Sequence, residues 1–419
     1  MKVKLIYPRV IKGDTDVYLP YLWFPLITFP ILAAYTPPDV EVEIIDEVIE
    51  DIDFDDPVDL VGLTAMTYSV HRAYEIAGEY RKRGVKVVMG GFHATAQPAE
   101  VKEYVDAVVT GEGEETWPRV IEDFKKGALK PYYASETYFD MARYKTPRLE
   151  LLSRYCPPYE KYTPPFYPTL NIVEMSRGCP FECDFCAVTN FHGKKYRFRP
   201  VADVLNEIRY RKLQSRQRHI SINDDNVFGS KTYFRELLQG LKKLNITWGA
   251  QMSINVAKDP EMLDLLVDSG CQSIGFGLET LSQQSLDSVH KVTNKVAEYD
   301  EIFQRVRNYK LRIFLGMMVG LDYDDESIFE KTLAWLKTQL DVVIFANIHI
   351  ITPFPGTALH QRLMKENRLI DFDWKNYDTR HVVFKPRLMS EETLYQGFKW
   401  LLDNMREVNL ENWKQWYIK

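Results

Sequence analysis

The chain has 419 residues, 45% of them hydrophobic and 27% charged, with 21 Gly and 22 Pro. That profile fits two or three folded domains or one large α/β barrel, and excludes a disordered, collagenous or low-complexity chain. With 53 Lys and Arg against 59 Asp and Glu the formal charge is -6, so the chain lacks the basic excess of a general nucleic-acid binder.

Strand-length apolar runs at 3–7, 42–45, 60–63, 85–89 and 107–110 alternate with longer stretches such as 69–82. This predicts a Rossmann-like parallel sheet with helices on both faces over residues 1–130. In such sheets ligands sit at the carboxyl ends of the strands. Here those ends carry Thr64-Ala65-Met66-Thr67, Gly90-Gly91-Phe92-His93-Ala94-Thr95 and Gly111-Glu112-Gly113-Glu114. Glycine turns at strand ends let a flat ligand or a phosphate approach the backbone, or they simply make tight turns. The first residues read as a strand rather than a secretory signal. Residues 17–35 carry no charge and reach membrane-span length, but Pro20, Pro25 and Pro30 interrupt them. A buried loop and helix is expected there, with peripheral membrane association as the alternative.

Residues 131–168 hold seven prolines and eight tyrosines, the composition of an ordered aromatic connector between domains. From 169 to 361, strand patterns at 170–175, 220–223, 248–254, 273–278, 314–319 and 342–351 alternate with helical stretches. Six such units predict a partial TIM-like (β/α)6 barrel with its chemistry at the strand ends. Residues 362–419 alternate charged and aromatic positions at helical spacing and read as a C-terminal helical extension.

Five cysteines in the whole chain are too few for a disulfide framework, and a reducing, cytoplasmic setting is expected. Three of them fall in Ser176-Arg177-Gly178-Cys179-Pro180-Phe181-Glu182-Cys183-Asp184-Phe185-Cys186, just after a predicted strand. Three thiolates on one loop can hold three irons of a 4Fe-4S cluster and leave the fourth open to an exogenous ligand. Two other readings stay open at this point. A structural zinc would recruit a fourth ligand from Cys156, Cys271 or His192, and an electron-transfer cluster would need a fourth cysteine.

The Cys-x3-Cys-x2-Cys loop at the start of a β/α barrel, with an aromatic before the third cysteine, resembles the radical S-adenosylmethionine (SAM) superfamily. Downstream segments resemble it as well: Asp224 and Asp225 in the second-strand acidic motif, and Gly275-Phe276-Gly277-Leu278-Glu279-Thr280 in the fourth-strand motif. Gly316 to Gly320 resembles the fifth-strand glycine motif, and Thr352 to Thr357 the loop after the sixth strand. The resemblance implies that Cys179, Cys183 and Cys186 ligate the cluster and that Phe185 lies near the adenine. It also implies that Glu279 lies near the ribose or the methionyl amine, with Gly320 beside the adenine. One electron from the cluster would then cleave SAM to a 5'-deoxyadenosyl radical.

The glycine turns of the first domain are similar to the cobalamin-binding domain that precedes the barrel in one branch of that superfamily. Thr64, Met66, Thr67, Gly90, Gly91, His93, Ala94, Gly111, Glu112 and Gly113 are the positions this likeness assigns to cobalamin. The Asp-x-His-x-x-Gly motif that carries a cobalt-ligating histidine is absent, and His93 reads as a hydrogen-bonded loop histidine. Gln251 and Ser253 in Trp248 to Asn255, with Asp373 to Asp378 and Met389 to Glu392, resemble a subgroup that includes hopanoid C-2 methylases.

The function this implies is cobalamin-dependent methylation of an unactivated carbon in a hydrophobic small molecule or lipid, with a reductant such as flavodoxin or ferredoxin. Radical cyclisation or carbon-carbon bond formation on the same scaffold, and a non-catalytic iron-sulfur protein, are the alternatives.

Overall fold

The computed structural model describes residues 1–9, 27–47, 50–155, 171–214 and 219–417. Two parallel sheets organise the chain. The first contains β1 (Lys2–Tyr7), β2 (Glu41–Asp46), β3 (Leu60–Thr64), β4 (Lys86–Gly90), β5 (Ala107–Thr110) and β6 (Tyr132–Ala134), in the order β2-β1-β3-β4-β5-β6. Alternate side chains of β1 enter different cores. Val3, Leu5 and Tyr7 pack with α1 (Thr28–Tyr35) and Trp117, whereas Ile6 packs with α2 (Val70–Lys82) on the opposite face. A sheet covered on both sides in this way must be apolar along most of each strand, which is why its strands read as continuous runs.

The strand order reverses between β1 and β3, and an open α/β sheet has its ligand crevice at that reversal. Helix α3 (Phe92–Ala96) follows the carboxyl end of β4 and leads into α4 (Pro98–Tyr104), and α5 (Thr116–Lys125) follows that of β5. The uncharged segment at 17–35 contributes α1, with Pro30 buried in its first turn; residues 10–26 lie outside the described set. Among the described residues no helix is long and apolar enough to cross a membrane. Strand β6 falls within the segment read as a connector and pairs along β5 through Tyr132 to Ala134. Residues 156–170 of that segment, with Cys156, lie outside the described set.

The second sheet contains β7 (Ile172–Val173), β10 (His219–Ile222), β11 (Thr247–Gln251), β12 (Cys271–Glu279), β13 (Arg312–Val319) and β14 (Val343–Ile350) in sequential parallel order. Strands β8 (Ser176–Arg177) and β9 (Arg197–Phe198) form a small antiparallel ribbon. The outer face of the six-stranded sheet joins one core: Ile274, Phe276 and Leu278 of β12, Leu315 and Met317 of β13, and Ile348 and Ile350 of β14. The residues between them are only half-buried. They include Gly275, Gly277, Gly316, Met318, Asn347 and His349, and they face the lumen of a barrel left open between β7 and β14.

The C-terminal region is helical only in part. A helix at Ala358–Lys365 is followed by irregular chain with one bridge, Leu369 to Phe384, before the long helix Glu391–Tyr417. The irregular stretch straps the two units together. Trp374 Nε1 donates to Glu100 Oε2 at 2.9 Å and His71 Nε2 lies 3.0 Å from Asp373, both across the domain boundary.

Candidate active site

A cavity of about 340 Å³ lies at the reversal point of the first sheet. Leu5, Val88, Val109 and Trp117 line its apolar depth, and Thr64, Met66, Gly90, Gly91, Gly111, Glu112 and Gly113 line its strand-end side. The opposite wall belongs to the second unit: Glu174, Arg177, Phe191, His192, Asn223 and Asp225. Gly111 has φ +72°, and a Cβ there would meet no protein atom within 4 Å, so the turn leaves unfilled space on the cavity side.

Thr67, His93 and Ala94 do not line the cavity. The helical turn that places Phe92 in the wall rotates His93 away from it. The buried His93 ring has Nδ1 3.3 Å from Thr67 Oγ1 and Nε2 3.6 Å from Glu100.

The two units meet at a buried ionic cluster. Arg177 donates to Glu174 through Nε and Nη2, both at 2.9 Å, and pairs with Glu114 at 2.6 Å. Glu112 lies 2.8 Å from His192 Nδ1 and accepts from Arg197 at 2.7 and 2.9 Å. Burial alone would raise the Glu112 carboxyl, but His192, Arg197 and Arg177 outweigh it and hold it down at about 2. Phe92 and Phe191 stack across the same boundary with centroids 4.4 Å apart.

The cysteine loop runs from β8 to α6 (Val188–His192). It turns at Gly178, where φ is +88° and a Cβ would stand 2.3 Å from the Lys195 carbonyl oxygen, so only glycine fits. Backbone bonds from Cys179 N to Gly193 O (3.2 Å), Cys186 N to Cys183 O (3.0 Å) and Asp184 N to Val289 O (3.0 Å) fix its shape. Cys271 is elsewhere, buried in the core with its Sγ 3.6 Å from the Ser273 oxygen. His192 is already engaged by Glu112.

Among the described residues no three His, Cys, Asp or Glu side chains converge on a point as a single ion requires. Thiolates that each take a different iron of a cubane need not converge. Burial pushes the Cys183 thiol up to about 11 and Cys186 to about 12. Both would therefore remain protonated beside protein alone, and a cationic iron centre is the kind of partner that draws off such protons.

The remaining sequence-predicted positions divide between lumen and scaffold. Gln251 ends β11 on the exposed lumen side, and Glu279 ends β12. Ser253 caps a short 3-10 turn through Asn255 N at 3.3 Å, and its own N donates to Asn226 Oδ1 at 2.9 Å. Asp224 braces the strand before the cysteine loop, accepting from Met175 N at 2.8 Å and Ser176 Oγ at 2.5 Å. Asp225, its neighbour, reaches the cavity. At Gly320 a Cβ would stand 2.7 Å from Leu394 of the C-terminal helix, so this glycine makes room for packing. Phe185 packs on the core edge with Lys291 Nζ 6.0 Å from its ring centre.

Several residues of this region carry no motif in the sequence. Lys291 pairs with Glu279 at 2.5 Å, and His349 on the lumen face of β14 lies 2.9 Å from Thr379 Oγ1. Thr379 has φ +68°, an uncommon backbone for a β-branched residue. No periodicity signals such residues; only their position on the folded sheet does.

Family models agree with this architecture. Residues 173–336 match the radical SAM superfamily and residues 31–121 the B12 binding domain. The chain is 32% identical over 379 residues to the bacteriochlorophyllide d C-8(2)-methyltransferase of Chlorobaculum tepidum, covering 85% of this chain and 79% of that protein. It is 24% identical over 356 residues to the hopanoid C-2 methylase of Rhodopseudomonas palustris, covering 82% and 65%. Among solved structures, the cobalamin-dependent S-adenosylmethionine radical enzyme OxsB, with aqua-cobalamin and S-adenosylmethionine bound, superposes with a TM-score of 0.70 at 16% identity, covering 97% of this chain and 67% of that one.

The chain belongs to the radical SAM superfamily, in the branch that carries a B12-binding domain. It is an enzyme of the cobalamin-dependent methyltransferase group within that branch, and its cofactors are a 4Fe-4S cluster, S-adenosylmethionine and cobalamin.

Proposed function

We propose that this enzyme methylates an unactivated carbon of a hydrophobic small molecule or lipid. The observation that carries the proposal is the shared wall of the cavity. Its strand-end glycines belong to the first sheet, and its facing residues, Phe191 and His192, belong to the helix that follows Cys186. A corrin in that space would stand beside the cluster loop and over the open lumen. The relatives named above act on a bacteriochlorophyllide and a hopanoid, both of the apolar class proposed here.

When bound, the cluster would supply the electron that splits the sulfonium of SAM, and cobalamin would carry the methyl group. The chain's own part is to bind, orient and exclude water. Cys179, Cys183 and Cys186 would each take one iron, leaving one open. On this reading Phe185, Gln251, Ser253, Glu279 and Gly320 would border the space for SAM. Thr64, Met66, Gly90, Gly91, Gly111, Glu112 and Gly113 line the cavity that would take the corrin. Met318 and the glycines of β12 and β13 are half-buried, which supports a lumen that would admit an apolar guest. Electrons would come from a small cytoplasmic carrier such as flavodoxin or ferredoxin.

The test is anaerobic reconstitution with iron, sulfide and hydroxocobalamin, followed by incubation of bacteriochlorophyllide d and of a lipid extract with trideuteromethyl-labelled SAM. A product carrying the intact labelled methyl group supports the proposal. A product that has lost two hydrogens and gained no label replaces it with radical ring closure.

A further inference from the structure

The lumen face of β14 carries two polar side chains, Asn347 and His349, beside a glycine and a methionine of β13: Asn347 is in register with Gly316, and His349 with Met318. His349 is half-buried there. Burial, helped by the charge of Arg380, presses its ring down to about 3, so the imidazole is neutral near pH 7. Its Nδ1 lies 2.9 Å from Thr379 Oγ1, and Nε2 has no protein partner among the described residues.

Thr379 belongs to the irregular strap that joins the two units. The strap is held in place without the histidine, since Ile350 N donates to Thr379 O at 2.9 Å and the buried Tyr377 donates through its hydroxyl to Asp371 O at 2.8 Å. Thr379 nevertheless keeps φ +68°, a backbone unfavourable for a β-branched residue and retained where the surroundings demand a side-chain direction. The direction demanded here is that of Oγ1 toward His349, which orients the ring.

Cationic charge is close by. Arg380 has its Cζ 5.7 Å from the ring centre of Phe398 in the long helix, and its charge reaches His349. Asp378, on the same turn, accepts from Arg380 N at 2.8 Å and His381 N at 3.1 Å, and its Oδ2 lies 2.9 Å from His381 Nδ1. On its other side the strap packs over the turn that holds Tyr68, a residue of the cavity wall whose hydroxyl feels the Asp378 charge. His349 and Arg380 therefore stand where lumen and cavity approach each other.

A ring nitrogen able to carry a hydrogen, a hydroxyl able to donate to the other ring nitrogen, and a guanidinium in reach together suit an anionic oxygen group. We propose that His349 and Arg380 bind a carboxylate at one end of the substrate and so hold its apolar body in the lumen. The Thr379 hydroxyl donates to Nδ1, which leaves Nε2 as the donor to that carboxylate. The proposal rests on the reading that the lumen takes an apolar substrate, and it narrows that class to amphiphilic acids.

The test measures how the reconstituted enzyme holds a matched pair of probes, 1-pyrenebutyrate and 1-pyrenebutanol, in anaerobic equilibrium dialysis. The unaltered enzyme should hold the acid about tenfold more tightly than the alcohol or better. His349→Phe should lose about tenfold in affinity for the acid and change by less than about twofold for the alcohol. His349→Gln, which keeps a donor, should recover most of that loss. Iron, cobalamin and the electron paramagnetic resonance (EPR) signal of the reduced cluster should be the same in all three proteins.

Equal affinity of the unaltered enzyme for acid and alcohol overturns the assignment, as does an acid preference that His349→Phe leaves intact. Equal loss of both probes in that variant overturns it in favour of a brace for the strap. Should His349→Phe not take up its cofactors, Arg380→Gln is judged by the same comparison. Retention of neither probe would instead remove the apolar-substrate reading beneath the proposal.

Discussion

Arg197 grips Glu112 across the domain boundary, Nη1 donating to Oε2 at 2.9 Å and Nη2 to Oε1 at 2.7 Å. The same carboxylate lies 2.8 Å from His192 Nδ1 and accepts from Phe139 N at 2.7 Å. One glutamate of a glycine turn thus ties the first sheet to the ribbon and helix that frame the cysteine loop. A bidentate, buried arrangement of this kind fixes orientation as well as contact.

Removing that carboxylate leaves Arg177 and Arg197 short of a partner at a largely buried site. Glu112→Ala is expected to lower unfolding stability by about 3 kcal/mol and to reduce the cobalamin retained per chain, since Glu112 also lines the cavity. Denaturant titration and corrin absorbance after gel filtration check both. An unchanged midpoint would mean that the ionic cluster contributes nothing to domain docking.

The pH dependence follows from the same group. The folded Glu112 carboxyl sits at about 2, below its ordinary value of 4.5, and Glu100, bonded to Trp374 across the boundary, is also held at about 2. Between those values the unfolded chain binds more protons than the folded one. The stabilisation is therefore complete above about 4.5 and is lost as the pH falls toward 2. Hydrogen exchange of the 134–148 and 371–381 segments should rise over that window, and less steeply in Glu112→Gln.

Gly111 tests the cavity separately from the fold. Asparagine tolerates the left-handed backbone that Gly111 adopts, so Gly111→Asn should fill the space with little strain. Hydroxocobalamin retention is expected to fall about tenfold while iron content stays constant. Gly84 shares a positive φ of +76° and open surroundings but lies outside the cavity lining. Gly84→Asn should leave retention unchanged, and equal loss in both variants would show that backbone strain is responsible.

The cysteine assignment predicts a clear separation. Alanine at Cys179, Cys183 or Cys186 should abolish iron binding and SAM cleavage, because each thiolate would serve a different iron. Cys271→Ala should retain both, since Cys271 is buried in the core away from the loop. Iron and sulfide analysis with 5'-deoxyadenosine quantification checks the four variants, and full cleavage by any of the first three contradicts the assignment.

Much of this architecture was legible in the sequence because it is local or periodic. Ala107 to Thr110 reads as a strand and is one, and the spacing of Cys179, Cys183 and Cys186 marks three candidate donors on one loop. The first sheet's glycine turns were found for the same reason. What was not legible depends on distant partners. Strand β6 is three residues long and exists only because β5 offers an edge. Trp374 finds Glu100 across 274 residues, and Lys291 meets Glu279 because the chain turns back after β12. Thr67, His93 and Ala94 show the limit from the other side. Their neighbours Met66, Gly91 and Phe92 line the cavity, but Thr67, His93 and Ala94 lie in the helical turns that begin there and do not.

The most direct test of the account is the EPR spectrum of the anaerobically reconstituted, reduced enzyme before and after addition of SAM, with 5'-deoxyadenosine measured in the same sample. The account predicts a cubane signal that shifts when SAM binds, and reductant-dependent release of 5'-deoxyadenosine. Zinc in place of iron, or a cubane whose signal SAM does not move and which yields no 5'-deoxyadenosine, would contradict it.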